Sequence, residues 1–274
     1  MATVLSVLLL VVLAVSWLLP LLWAIDTSFK SEAQAQSVPL QWFPDGGFTL
    51  ENYRTVFERG GEVPRWMANT VLVAGSVTIL TVAVCALAGY GFARTKFRGK
   101  TALFAATIAL IAVPGQILIV PLFRQMEWMN SVDTYQGIIL PQLVAPVMVY
   151  IFTKFFQEVP QEIEDAARVD GAGGHWRTFW SIVMPISRPI VTAVAIFVFI
   201  GAWNNFLWPF IVTNNPPDLM TLPVGLSTVK NAYGTIYAQT MASAMVAALP
   251  LILLFMLFQR QIVKAVATTG LGGR

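Results

Sequence analysis

Six runs of mostly apolar residues, each about as long as a membrane is thick, constrain this chain more than anything else in its sequence. The hydrocarbon core of a bilayer is crossed by about 20 residues of α-helix. The runs are Val4–Ile25, Thr70–Ala93, Thr101–Phe123, Tyr135–Phe156, Pro189–Val212 and Ala238–Phe258. A segment in lipid must satisfy its own backbone hydrogen bonds, so each run reads as a helix. The expected fold is all-α: a polytopic membrane protein with six transmembrane helices, taken as one transmembrane domain over residues 1–274.

Composition agrees. Hydrophobic residues make up 57% of the 274, charged residues only 11%, and the mean hydropathy is +0.69. A soluble domain carries roughly 25% charged residues. A soluble enzyme, a disulfide scaffold and a disordered chain are all excluded. Cys85, the only cysteine, has no partner in the chain. The first run has no Lys or Arg before it and exceeds the about 7–15 apolar residues of a signal peptide, so it reads as a retained span.

Basic residues set the expected orientation. Arg94, Lys96, Arg98 and Lys100 crowd one short link that contains no acid, which places it in the cytoplasm. Alternation then places Lys154–Arg188 and both termini on the same side. Eleven basic residues fall inside and six outside.

The spans hold almost no charge. A proton- or sodium-driven carrier usually needs intramembrane carboxylates or histidines, and the only histidine, His175, lies in a loop. Energy is therefore supplied from elsewhere, or transport is passive. Gly99-Lys100-Thr101 has the ending of a phosphate-binding loop, but Arg94 stands where another glycine is needed. No His-Glu-x-x-His motif occurs. We assign no catalytic residue, no metal ligand and no cofactor to the chain itself, and no nucleic-acid partner. Gly89 and Gly91 read as sites of close helix packing.

The loop over residues 158–186 is the most informative region. Pro160 is placed to open a short helix, and Ile163, Ala166 and Ala167 share one face of it. Gly171 suits a left-handed cap. Trp176, Phe179, Trp180 and Val183 are expected to form one apolar face of a second helix, which Pro185 ends. An amphipathic connector lying on lipid is one reading. Five acids around the first helix (Glu158, Glu162, Glu164, Asp165 and Asp170) oppose it, because anionic headgroups repel them. A groove on a partner protein fits better.

This loop resembles the EAA motif of binding-protein-dependent ABC importer permeases. The motif reads Glu-Ala-Ala, three residues, Gly, nine residues, Ile, two residues, Pro. Asp165-Ala166-Ala167, Gly171, Ile182 and Pro185 occupy it. Asp165 stands for the Glu, with Glu164 before it, and ten residues rather than nine precede Ile182. The surroundings look like the carbohydrate-importer branch, of maltose-permease G and glycerol-3-phosphate-permease E type, and the likeness extends over nearly the whole chain. The resemblance implies a type I importer permease in a bacterial or archaeal plasma membrane. It implies a heterodimeric pore with a second permease subunit, two ATPase subunits that bind ATP and Mg2+, and an extracytoplasmic sugar-binding protein. Loop 158–186 would be the coupling helix region, with Glu164, Asp165, Ala166, Ala167, Asp170, Gly171, Ile182 and Pro185 facing the coupling task. It also implies that the outer loop over residues 213–239 probes the binding protein, and that the tail over residues 268–273 reaches the ATPases; a simple connector and a frayed terminus are the alternatives.

Gln116, between Pro114 and Pro121, and Asn204 and Asn205, late in the fifth run, are candidates for the translocation path. Trp203 or Trp208 would offer a stacking face to a sugar. An interhelical hydrogen bond is the other reading of the asparagines. The rivals to an importer subunit are a self-sufficient passive channel or secondary carrier, which transports alone, and a membrane scaffold with no transport role.

Overall fold

A computed structural model describes residues 2–39, 41–44, 46–58, 62–169, 174–214, 218–228 and 236–271, and leaves the side chains of 2–3, 167–169 and 260–271 undescribed. Its regular elements are all helical among the described residues. In chain order the α-helices are α1 (Ala2–Ser28), α2 (Glu32–Ala35), α3 (Glu51–Glu58), α4 (Glu62–Arg94), α5 (Lys100–Ile111), α6 (Ile119–Trp128), α7 (Tyr135–Ile139) and α8 (Pro146–Glu158). They continue with α9 (Gln161–Val169), α10 (Gly174–Thr178), α11 (Met184–Ile186), α12 (Arg188–Trp203), α13 (Leu207–Val212), α14 (Leu222–Thr228) and α15 (Tyr237–Leu271).

Three helices, α1, α4 and α15, are each long and apolar enough to cross a membrane unbroken. The other expected spans are interrupted, and prolines explain where in the third and fourth. In the third, α5 and α6 meet at 101° through Pro114 and a 3-10 turn over Gly115–Leu118. Proline lacks an N–H and disfavours helix in the residue before it. In the fourth, α7 continues into a 3-10 turn over Leu140–Gln142, and α8 leaves at 47°. Ala145 is extended there and Pro146 starts α8. The fifth consists of α12 and the short α13, separated by Asn204–Phe206.

The chain forms two compact units. The first comprises Met1–Met67 and Leu222–Leu254. Its polar knot is built on Lys30, which is 2% exposed. The Lys30 ammonium pairs with Asp26, donates to the carbonyl of Gln41 and sits 4.7 Å from the Trp23 ring centroid. Asn52 donates to the carbonyls of Ser28 and Lys30 at 2.9 and 2.7 Å. Gly225 of α14 lies against the Trp66 ring so closely that a Cβ there would overlap it.

The second unit comprises Ala68–Thr221 and Phe255–Arg274. Its core joins Val82, Cys85, Ala86 and Tyr90 of α4 to Val149, Phe152 and Phe156 of α8, to Phe179 and Val183, and to Val194 of α12. Gly89 permits the closest approach: a Cβ there would fall 2.6 Å from Cβ of Phe152. Gly91 has open space beside it, so among the described residues only the first of the two glycines packs closely on another helix. Near the other end of α4, Asn69 donates to the carbonyls of Asp218 and Met220 and accepts from the Tyr135 hydroxyl at 2.7 Å.

Candidate functional site

The loop after α8 is fastened to the end of α4. Val159 is extended (φ −65°, ψ 126°), Pro160 follows, and α9 begins at Gln161. Proline at this point fixes the entry to the helix and needs no donor partner. Among the described side chains of α9, Gln161, Glu162, Ile163, Asp165 and Ala166 are exposed and Glu164 alone is buried, at 2% exposure. Of the small apolar face expected from the sequence, Ile163 and Ala166 therefore point away from the chain, while one acid points into it.

Glu164 is held on both oxygens. Arg94 Nε lies 2.8 Å from Oε1, and the Tyr90 hydroxyl donates to Oε2 at 3.1 Å. Arg94 also donates through Nη2 to the carbonyl of Val159, a helix-terminal acceptor. Tyr90 and Arg94 stand one turn apart on α4. The Tyr90 ring packs against Phe179 at 5.1 Å and Phe156 at 6.1 Å between centroids, and against the His175 ring at 6.2 Å. Sequence reasoning read Arg94 only as a marker of orientation. A Tyr and an Arg at i, i+4 where an apolar run ends was the available signal.

The second half of the loop corrects two expectations. Gly174, at φ +86°, opens α10, where a side chain would be strained. Residues Phe179–Val183 then form a π turn, with the Met184 N–H bonded to the Phe179 carbonyl five residues back. The four apolar residues do not share one face. Phe179 and Val183 are buried, whereas Trp176 is 67% exposed and pairs edge-on with the exposed Trp180 at 5.8 Å. The wider turn rotates the helix surface between them. That turn also overlaps the end of the Gly171–Ile182 interval, which is one residue longer than the motif, and a π turn accommodates one residue more than an α turn. Asp170 and Gly171 lie outside the described residues, as does the side chain of Ala167. Ile182 is half-buried.

Pro185 does not end the helix. It occupies an early position in α11, where its missing N–H costs nothing, and the chain turns instead at the buried Ser187. The segment Gly174–Ile186 makes an angle of 81° with α12.

The candidate path residues divide. Asn205 donates to Gln142 Oε1 at 2.7 Å, joining the break in the fourth span to the break in the fifth, and Gln142 donates to the Ile138 carbonyl. Asn204 is exposed and donates to the carbonyl of Ile200 at 2.9 Å as α12 ends. Gln116 is exposed on the 3-10 turn where the third span breaks. Trp203 and Trp208 offer no stacking face, because both are buried. Trp203 packs on Phe199, and Trp208 donates to the Gly137 carbonyl at 3.1 Å. At the start of the loop following α13, Asn214 donates to both carboxylate oxygens of Asp133, at 2.6 and 3.0 Å.

Among the described residues, an all-helical chain with long, interrupted apolar spans and a fastened loop helix defines a polytopic membrane protein. Comparison with known proteins specifies which. The model of the family described as binding-protein-dependent transport system inner membrane component matches residues 83–268. The arabinooligosaccharides transport system permease protein AraQ of Halalkalibacterium halodurans is 33% identical over 256 residues, 93% of this chain and 91% of that one. The diacetylchitobiose uptake system permease protein NgcG of Streptomyces coelicolor is 32% identical over 263 residues, 94% of this chain and 85% of that one. The trehalose/maltose transport system permease protein MalG of Thermococcus litoralis is 29% identical over 267 residues, 96% of this chain and 94% of that one. A crystal structure of a bacterial ABC transporter involved in the import of the acidic polysaccharide alginate shares the fold. Its TM-score is 0.81 at 16% identity, over 94% of this chain and 95% of that one. The chain belongs to the family of binding-protein-dependent transport system inner membrane components. It is a multi-pass membrane permease subunit of an ABC importer.

Proposed function

We propose that this chain forms half of a heterodimeric pore that imports a saccharide or saccharide derivative, driven by two ATPase subunits and supplied by an extracytoplasmic binding protein. The two compact units act together as one permease domain. The chain performs no catalysis; ATP and Mg2+ are bound and used by the partner subunits. In this reading both termini and loop 158–186 lie in the cytoplasm, which the basic residues Arg94–Lys100 support.

The observation that carries the coupling role is the division of labour on α9. Its buried acid is tied to the body of the subunit, and Ile163, Asp165 and Ala166 are presented outward to a partner surface. Ala167, Asp170, Gly171, Ile182 and Pro185 complete this coupling segment. The relatives whose names specify arabinooligosaccharides, diacetylchitobiose and trehalose/maltose support a saccharide cargo. Exposed, uncharged hydrogen-bonding groups at span breaks, Gln116 and Asn204, suit such a cargo and the translocation path. Non-helical backbone at membrane depth is tolerated only within protein or beside water. Asn205 serves that path from behind, by holding two breaks together.

The test is reconstitution of the complex isolated from its native membrane into vesicles, with binding protein outside and ATP inside. The expected result is ATP-dependent uptake of one labelled saccharide from a panel, and no uptake by this chain alone. Uptake by the chain alone without ATP would instead make it a channel or carrier.

A further inference from the structure

We propose that Arg94 is a positioning residue for energy coupling: it makes α9 and the end of α4 move as one body. The inference rests on the coupling role proposed for α9. Covalently, α9 hangs between Val159-Pro160 on one side and the link over residues 170–173 on the other. A helix tied only by its links would swing when a partner pushed on its outer face, and the push would be lost. The Arg94 guanidinium removes that freedom at two points. One nitrogen grips Glu164, on the helix itself, and another grips the carbonyl of Val159, where α8 stops. Tyr90, one turn earlier, takes the second oxygen of the same carboxylate.

Three features make this a joint with a defined geometry. Around the Arg94–Glu164 ion pair, two hydrogen bonds with one charged partner each, Arg94 to the Val159 carbonyl and Tyr90 to the Glu164 carboxylate, fix direction as well as distance. The pair is buried, Glu164 at 2% and Arg94 at 12% side-chain exposure, so water does not compete for either group. The Tyr90 ring belongs to the aromatic cluster with Phe156 and Phe179, so the joint is rooted in the core of the second unit. A displacement of α9 is therefore delivered to α4, a 33-residue helix long and apolar enough to cross the membrane unbroken. Arginine is required because a lysine ammonium, a single point of charge, lacks the fork that reaches a carboxylate and a carbonyl together.

The experiment compares saccharide moved per ATP hydrolysed in the complete reconstituted complex, with assembly measured by size-exclusion chromatography. The variants are Arg94→Gln, Glu164→Gln, Arg94→Lys, Tyr90→Phe and the exchanged pair Arg94→Glu with Glu164→Arg. In assembled complexes the first two are expected to lower the ratio at least tenfold, Arg94→Lys less, and Tyr90→Phe severalfold; the exchanged pair recovers part of the loss. A wild-type ratio in Arg94→Gln and Glu164→Gln overturns the proposal. If those two fail to assemble, Tyr90→Phe decides, because it removes a single hydroxyl: an unchanged ratio, or loss of assembly there too, assigns the joint to folding alone and overturns coupling. A wild-type complex without ATP-driven uptake would overturn the function proposed for the chain instead.

Discussion

The carboxylate of Glu32 accepts the backbone N–H groups of Tyr237 and Ala238 at 2.8 and 2.9 Å, so an acid just after the first span caps the N-terminus of the last. The first turn of a helix leaves its amides unpaired and carries partial positive charge. Glu32→Ala is expected to destabilise the subunit by about 1–2 kcal/mol. Thermal unfolding in mild detergent checks this, with a melting temperature lower by about 2–8 °C. Glu32→Gln, which keeps one acceptor oxygen, should lose less.

Two glycine substitutions should differ sharply. Gly225→Ala drives a methyl into the Trp66 ring and should cost about 1–3 kcal/mol as overpacking. Gly75→Ala, on α4 with open space at that point, should leave stability unchanged or raise it by about 0.5–1 kcal/mol. Equal losses in the same unfolding assay would mean that the contact between Gly225 and Trp66 is wrong.

Asn205 and Gln142 should behave as a pair. A double-mutant cycle with Asn205→Ala and Gln142→Ala is expected to give a coupling energy of about 0.6 kcal/mol, and no more than about 2 kcal/mol, the range of hydrogen bonds within membrane proteins. Asn204→Ala should have little effect on stability and change uptake, since Asn204 is exposed and its hydrogen bond to the Ile200 carbonyl is local to its own helix. Additive single effects at 205 and 142 would refute the bridge across the two breaks.

Cys85 is fully buried, which gives a clean background for labelling. The wild-type subunit should resist maleimide until it is denatured. Ile163→Cys and Ala166→Cys should label readily in the subunit alone and become protected when the ATPase subunits bind. In sealed cells an impermeant reagent should miss both, and in inside-out vesicles free of ATPase subunits it should reach both. Labelling from the cell exterior would reverse the assigned orientation.

Six spans were legible because the hydrophobic length needed to cross a bilayer leaves a run of about 20 residues that no charge interrupts. Pro114 also announced the break in the third span, though not its angle of 101°. The interior of the loop was less legible. A helix of period 3.6 puts Trp176, Phe179, Trp180 and Val183 together, and a single wider turn separates them without changing one letter of the sequence. Glu164 and Arg94 are 70 residues apart, and their sequence neighbourhoods look like ordinary charged links between spans. Only folding shows that one charge from each has been withdrawn from water to meet the other.

The first helix leads to a different consequence. None of the most apolar 18-residue stretch of Val4–Ser28 is buried against the rest of the subunit. Its sequence is therefore answerable to its surroundings rather than to its own chain. During synthesis it is free to settle into the bilayer before any later span exists. Recombination between related transporters could exchange it with little repacking within the subunit, so mutational tolerance along this helix will record what lies outside the chain, lipid or neighbouring helix, position by position.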